Sequence, residues 1–67
     1  MDLRGVIKVR RKVLGISQQD LAEMSGLGVA TIKDIERGKG NPSLSTVARI
    51  LDVLGMELVF KVRQTVK

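Results

Sequence analysis

The sequence predicts an all-α fold of four helices, or five if a short extra turn forms, followed by a single apolar β-strand. Three features of its 67 residues carry that expectation. Apolar residues recur at helical spacing in four successive segments, and glycine or a serine cap bounds those segments. The last apolar stretch, "MELVFKVR", alternates with a period of two instead.

The first helix is expected from Leu3 to Leu14. Leu3, Ile7 and Leu14 form its stripe, Val6 and Arg11 lie beside it, and Gly15 stops it. Arg4, Lys8, Arg10 and Lys12 occupy its other faces. In "SQQDLAEM", Ser17 is an N-cap and Asp20 completes a capping box, so a second helix starts there. Leu21 and Ala22 begin its buried face and Gly26 ends it. Helical spacing resumes through Leu27, Ile32 and Ile35 until Gly38 closes a third helix. "KGNPS" is a loop, because Gly40, Asn41 and Pro42 punctuate the chain. Ser43 caps a fourth helix whose apolar face is Leu44, Val47, Ile50, Leu51 and Leu54, and Gly55 ends it. The strand places Met56, Leu58, Phe60 and Val62 on one side and Glu57, Val59, Lys61 and Arg63 on the other. The organisation is therefore a helical domain over 1–55, a strand over 56–63 and a frayed tail over 64–67.

Composition narrows the function. The chain has no cysteine and no histidine, so disulfides, thiolate metal sites and the commonest general base are excluded. Twelve Lys and Arg against seven Asp and Glu give a net charge of +5, which suits a polyanionic partner such as nucleic acid. No apolar run approaches the roughly 20 residues that span a bilayer, and no signal peptide is evident, so the expected location is the cytoplasm without membrane contact. "GLGVAT" follows a helix and lacks a third glycine, and "GKGNPS" lacks the strand-helix context of a phosphate loop. Asp20, Glu23, Asp34 and Glu36 read as solvated faces and caps. Neither an enzyme nor a cofactor is expected.

The second and third helices meet at a very short turn around Gly26, so they must cross steeply. Ala22, four residues earlier, is small enough to let them touch, and Leu27 fills the turn from below. With Ile32 and Ile35 buried, the outer face of the third helix is left for a DNA major groove.

The stretch Leu14–Gly55 resembles the helix-turn-helix domains of the Cro and lambda-repressor class, the XRE family. The shared elements are Ser17-Gln18, Leu21-Ala22, Gly26, Thr31-Ile32, Ile35-Glu36-Arg37-Gly38 and Asn41-Pro42-Ser43-Leu44. The resemblance implies sequence-specific DNA binding, with repression of transcription the leading form. It gives Gln18 a phosphate contact, makes Gln19, Thr31, Lys39 and Asn41 further backbone contacts, and assigns base reading to Val29, Ala30, Lys33 and Asp34. It also implies an ion pair between Arg11 and Glu36, the alternative being that Arg11 touches phosphate. Gly28 replaces the family's usual Ser or Thr cap, which loosens the expected start of the third helix. Val29 and Ala30 replace residues that hydrogen-bond bases, so readout is expected to lean on thymine methyl groups, Lys33 and DNA shape.

The strand has no partner in its own chain, and an unpaired apolar strand is a liability. The expected solution is an antiparallel homodimer through Met56, Leu58, Val59, Phe60 and Val62, with the apolar face over the fourth helix. A two-fold axis at Val59 sets Glu57 opposite Lys61 of the other copy, and one at Phe60 sets it opposite Arg63. A strand folded back on its own domain is the alternative. A helix-turn-helix domain with one terminal strand also resembles HipB-type antitoxins, which implies a HipA-like toxin as a second partner and autoregulation of a toxin-antitoxin operon. Two rivals are a stand-alone phage-type repressor and a protein-interaction module that kept the fold without DNA binding.

Overall fold

The computed structural model describes residues 3–63. The expected frayed tail, 64–67, lies outside the described residues. Four helices follow in order: α1 (Leu3–Val13), α2 (Gln18–Ser25), α3 (Val29–Glu36) and α4 (Leu44–Val53).

Local chemistry sets each boundary. The Ser17 hydroxyl accepts from the Asp20 backbone N–H at 2.9 Å, and the Asp20 carboxylate accepts from the Ser17 N–H at 3.3 Å. This reciprocal box satisfies two N–H groups that helix geometry leaves over. Ser43 caps α4 in the same manner through the Thr46 N–H at 3.1 Å. Gly28 stands at the cap of α3 and offers no side-chain hydrogen bond, as its missing side chain dictates.

The turn between α2 and α3 depends on Gly26, whose φ of 72° is left-handed backbone that side chains with a Cβ avoid. That conformation lets the Leu27 N–H reach back to the Ala22 carbonyl at 2.9 Å. The chain reverses within two residues, and Leu27 packs against the core.

The core is one cluster of Ile7 from α1, Leu21 and Ala22 from α2, Ile32 and Ile35 from α3, and Val47, Ile50, Leu51 and Leu54 at α4. Burying Ile7, Leu21, Ile32, Ile50 and Leu54 completely is worth about 2 kcal/mol each, which is what fixes the helices against one another. Two buried polar residues join this core, Ser25 and Glu36. Ser25 returns its hydroxyl to the Leu21 carbonyl at 2.7 Å, so its burial leaves no donor unsatisfied.

Three sequence expectations are corrected. Leu14 is exposed because α1 stops at Val13 and the chain turns away before that position. Leu44 is 62% exposed; it is the first residue of α4 and projects beyond the end of the core. The segment 56–63 is not a strand: among the described residues there is no second strand to supply ladder hydrogen bonds. Its apolar face does not cover α4 either. Leu58 packs on the core, whereas Phe60 and Val62 are 77% and 98% exposed. Among the described residues, nothing pairs with this segment, and Leu58 is its contact with the core.

Candidate nucleic-acid interface

The outer surface of α3 is built by subtraction. Ile32, Ile35 and Glu36 turn inward, which leaves Ala30, Thr31, Lys33 and Arg37 in solvent. Ala30, Lys33 and Arg37 recur at three and four residues and so share one ridge. Val29 is only half-exposed and packs against the core, so Ala30 is the more accessible apolar surface in the first turn. Asp34 is half-exposed, and its carboxylate accepts from Arg37 Nη2 at 2.6 Å. That bond ties down Arg37 on the ridge and Asp34 beside it. The pair was not expected from sequence, although acid and base three residues apart on a helix are a sufficient signal.

The following loop lies beside this ridge. Thr31, Asp34, Lys39 and Asn41 line one shallow cleft of about 160 Å³ together with Ile35, Gly40 and Pro42. Four of the expected DNA-facing residues therefore meet in one place. Arg4 reaches the same end of α3: a Cβ added to Gly38 would stand 2.6 Å from Arg4 Cδ. Gln19 is exposed at the start of α2. Ser43, Ser45 and Thr46 form a hydroxyl cluster at the start of α4, which sequence reasoning did not single out as a group.

Behind this surface lies the charged centre of the domain. Glu36 Oε2 accepts from Arg11 Nε at 2.7 Å and Oε1 accepts from Arg11 Nη2 at 3.0 Å, a two-pronged match between guanidinium and carboxylate. The side chains are 11% and 4% exposed. Arg11 Nη1 also donates to the Ile16 carbonyl at 2.9 Å, so the guanidinium is committed inside the fold. Gln18 Nε2 completes the group by donating to Glu36 Oε1 at 3.2 Å. Residues of α1, α2 and α3 thus converge on one carboxylate.

Burial alone would raise the Glu36 carboxyl. The hydrogen bonds from Arg11 and Gln18, with the charges of Arg11 and Lys8, outweigh it and hold the group below its ordinary value of 4.5. Arg11 is raised, chiefly by its hydrogen bond to Glu36 and against the effect of burial. A lowered carboxyl stabilises the fold above the unfolded value and loses that contribution as pH falls through the folded one. Melting temperature should therefore drop as pH is lowered below 4.5, and Glu36→Gln should flatten the drop. Thermal scans of both proteins across that range check it; identical acid sensitivity would remove Glu36 from the explanation.

The profile of the helix-turn-helix family matches residues 7–61. An uncharacterized HTH-type transcriptional regulator of Methanothermobacter thermautotrophicus is 42% identical over 55 residues, covering 82% of this chain and 80% of that protein. The immunity repressor protein of Bacillus phage phi105 is 40% identical over 52 residues, covering 78% of this chain but only 36% of the repressor. Among solved structures, the clp gene regulator ClgR from Corynebacterium glutamicum superimposes with a TM-score of 0.79 at 25% identity. That match covers 84% of this chain and 60% of ClgR.

Proposed function

Since the chain belongs to the helix-turn-helix family, in its XRE form, we propose that it is a sequence-specific DNA-binding repressor of transcription that works as a homodimer. The observation that carries this reading is the outer face of α3, where Ala30, Thr31 and Lys33 stand in solvent on a helix whose inner side is fully engaged.

On this reading the first turn of α3 enters the major groove. Ala30 packs on a thymine methyl group, Lys33 reaches base edges, and Val29 and Asp34 border the contact. Gln18, Gln19, Thr31, Lys39 and Asn41 hold the phosphate chain on either side. The exposed apolar segment 56–63 joins two copies, Phe60 and Val62 being the side chains with most to gain from a partner. The phage immunity repressor among the relatives supports repression over activation.

A salt titration tests the DNA contact. A dimer touching roughly 6–8 phosphates should lose about 10³- to 10⁴-fold in affinity for duplex DNA between 50 and 200 mM salt, as counterion release requires. Fluorescence anisotropy with labelled duplex reads it. A chain that binds duplex weakly at both concentrations would instead be an interaction module with the fold alone.

The antitoxin role is the sharper form of this proposal. It rests on the arrangement of helix-turn-helix domain plus exposed apolar segment, and it adds a HipA-like toxin encoded by the neighbouring gene. Co-purification of that gene's product with this chain supports it.

A further inference from the structure

The ion pair at the centre of the fold and the expected phosphate contact share an atom group. Glu36 Oε1 receives Arg11 Nη2 at 3.0 Å and Gln18 Nε2 at 3.2 Å. An ionised carboxylate only accepts hydrogen bonds, so it selects the nitrogen of the Gln18 amide and turns the oxygen away. Two consequences follow. The amide loses its freedom to flip, and one of its two N–H groups is used internally while the other remains for a second acceptor. Gln18 is half-buried at the start of α2, whereas its neighbour Gln19 is exposed and makes no side-chain hydrogen bond among the described residues.

We propose that Glu36 is a positioning residue for DNA: it holds the Gln18 amide so that the remaining N–H faces the phosphate backbone. This inference rests on the DNA-binding reading above. The ordering is done once, during folding, by a group that Arg11 already fixes through both of its oxygens. The amide therefore meets the phosphate with little rotamer freedom left to lose. Glu36 itself is too buried to touch DNA, and its negative charge is paired with Arg11. The same carboxylate thus ties the stability of the three-helix junction to the geometry of the contact.

A double-mutant cycle on DNA affinity tests the coupling, with duplexes enriched by the wild-type chain from a random pool as the probe. Gln18→Ala should weaken binding about tenfold in the wild-type background, the usual effect of losing a hydrogen bond to a charged acceptor. In an Arg11→Met/Glu36→Leu background, where the pair is replaced by apolar side chains, Gln18→Ala should cost less than about twofold. The cycle cancels the loss of the Arg11 charge, which affects both members of the second pair equally. A tenfold loss in both backgrounds would show that Gln18 acts without Glu36, and no loss in the wild type would show that Gln18 makes no contact. Either overturns the proposal. Failure of the wild type to enrich any duplex overturns the DNA-binding reading and this inference with it.

Amide hydrogen exchange on the wild-type protein gives a second readout independent of how the variants fold. One Gln18 Nε2 proton should be protected while both Gln19 Nε2 protons exchange freely. Equal, rapid exchange at the two residues would contradict the anchoring of Gln18.

Discussion

Glu36→Ala is expected to lower the melting temperature by about 15 °C or more, the consequence of losing about 3 kcal/mol from so small a domain. The size of the effect comes from what stays behind. Arg11 is 11% exposed and would keep a charge with no carboxylate to meet it, while Gln18 would lose its acceptor. A domain of this length has only about 3–10 kcal/mol of net stability, so the variant stands near the edge of folding. Two controls separate pairing from mere charge. Asp34→Ala breaks an ion pair of similar length, 2.6 Å, whose side chains are 60% and 47% exposed. It should shift stability by less than about 0.5 kcal/mol. The Arg11→Met/Glu36→Leu variant removes both charges and should recover most of the loss, because an apolar pair of similar volume needs no compensation. Urea unfolding of the four proteins measures all of this; a Glu36→Ala loss no larger than that of Asp34→Ala would refute the bracing role.

Phe60→Glu combined with Val62→Lys is expected to yield a folded monomer whose affinity for DNA is reduced about a hundredfold or more. Both side chains are largely in solvent and neither packs against the core cluster, so their replacement removes no contact from the core. The substitution is therefore cleaner than deleting 56–67, which would also strip Leu58 from its packing against the cluster. The affinity loss follows from connection alone. Two linked readers bind the second half-site at a high effective concentration, and separated readers do not. Sedimentation gives the mass, circular dichroism the helix content and anisotropy the affinity. A variant that remains dimeric would show that the segment 56–63 does not join the copies.

What the sequence made legible was mostly local. Ser17 with Asp20, Ser43, and the reversal at Gly26 each act within a few residues of chain, and each stands where its spacing places it. Periodicity also identified the buried residues of the helix interiors, among them Ile7, Leu21, Ile32 and Ile50. It failed at helix ends. Leu14 and Leu44 obey the spacing but lie past the reach of neighbouring helices, a property of packing that no stripe of apolar residues encodes. Arg11 and Glu36 are 25 positions apart and were paired through the family resemblance, not through pattern. The bond from Gln18 into that pair, and the one between Asp34 and Arg37, depend on side-chain directions that appear only once the helices are docked. The terminal segment is the remaining divergence. Its alternation was plain, but alternation specifies a face and not the surface that covers it.

The measurement that bears most directly on the whole account is selection of duplexes from a random pool by the full chain, followed by sequencing. The account predicts an inverted repeat whose half-sites are about 10 base pairs apart centre to centre, or a multiple of that, because two copies of α3 must reach grooves on one side of the duplex. A pool that stays random, or one that yields a single unrepeated half-site, would contradict it.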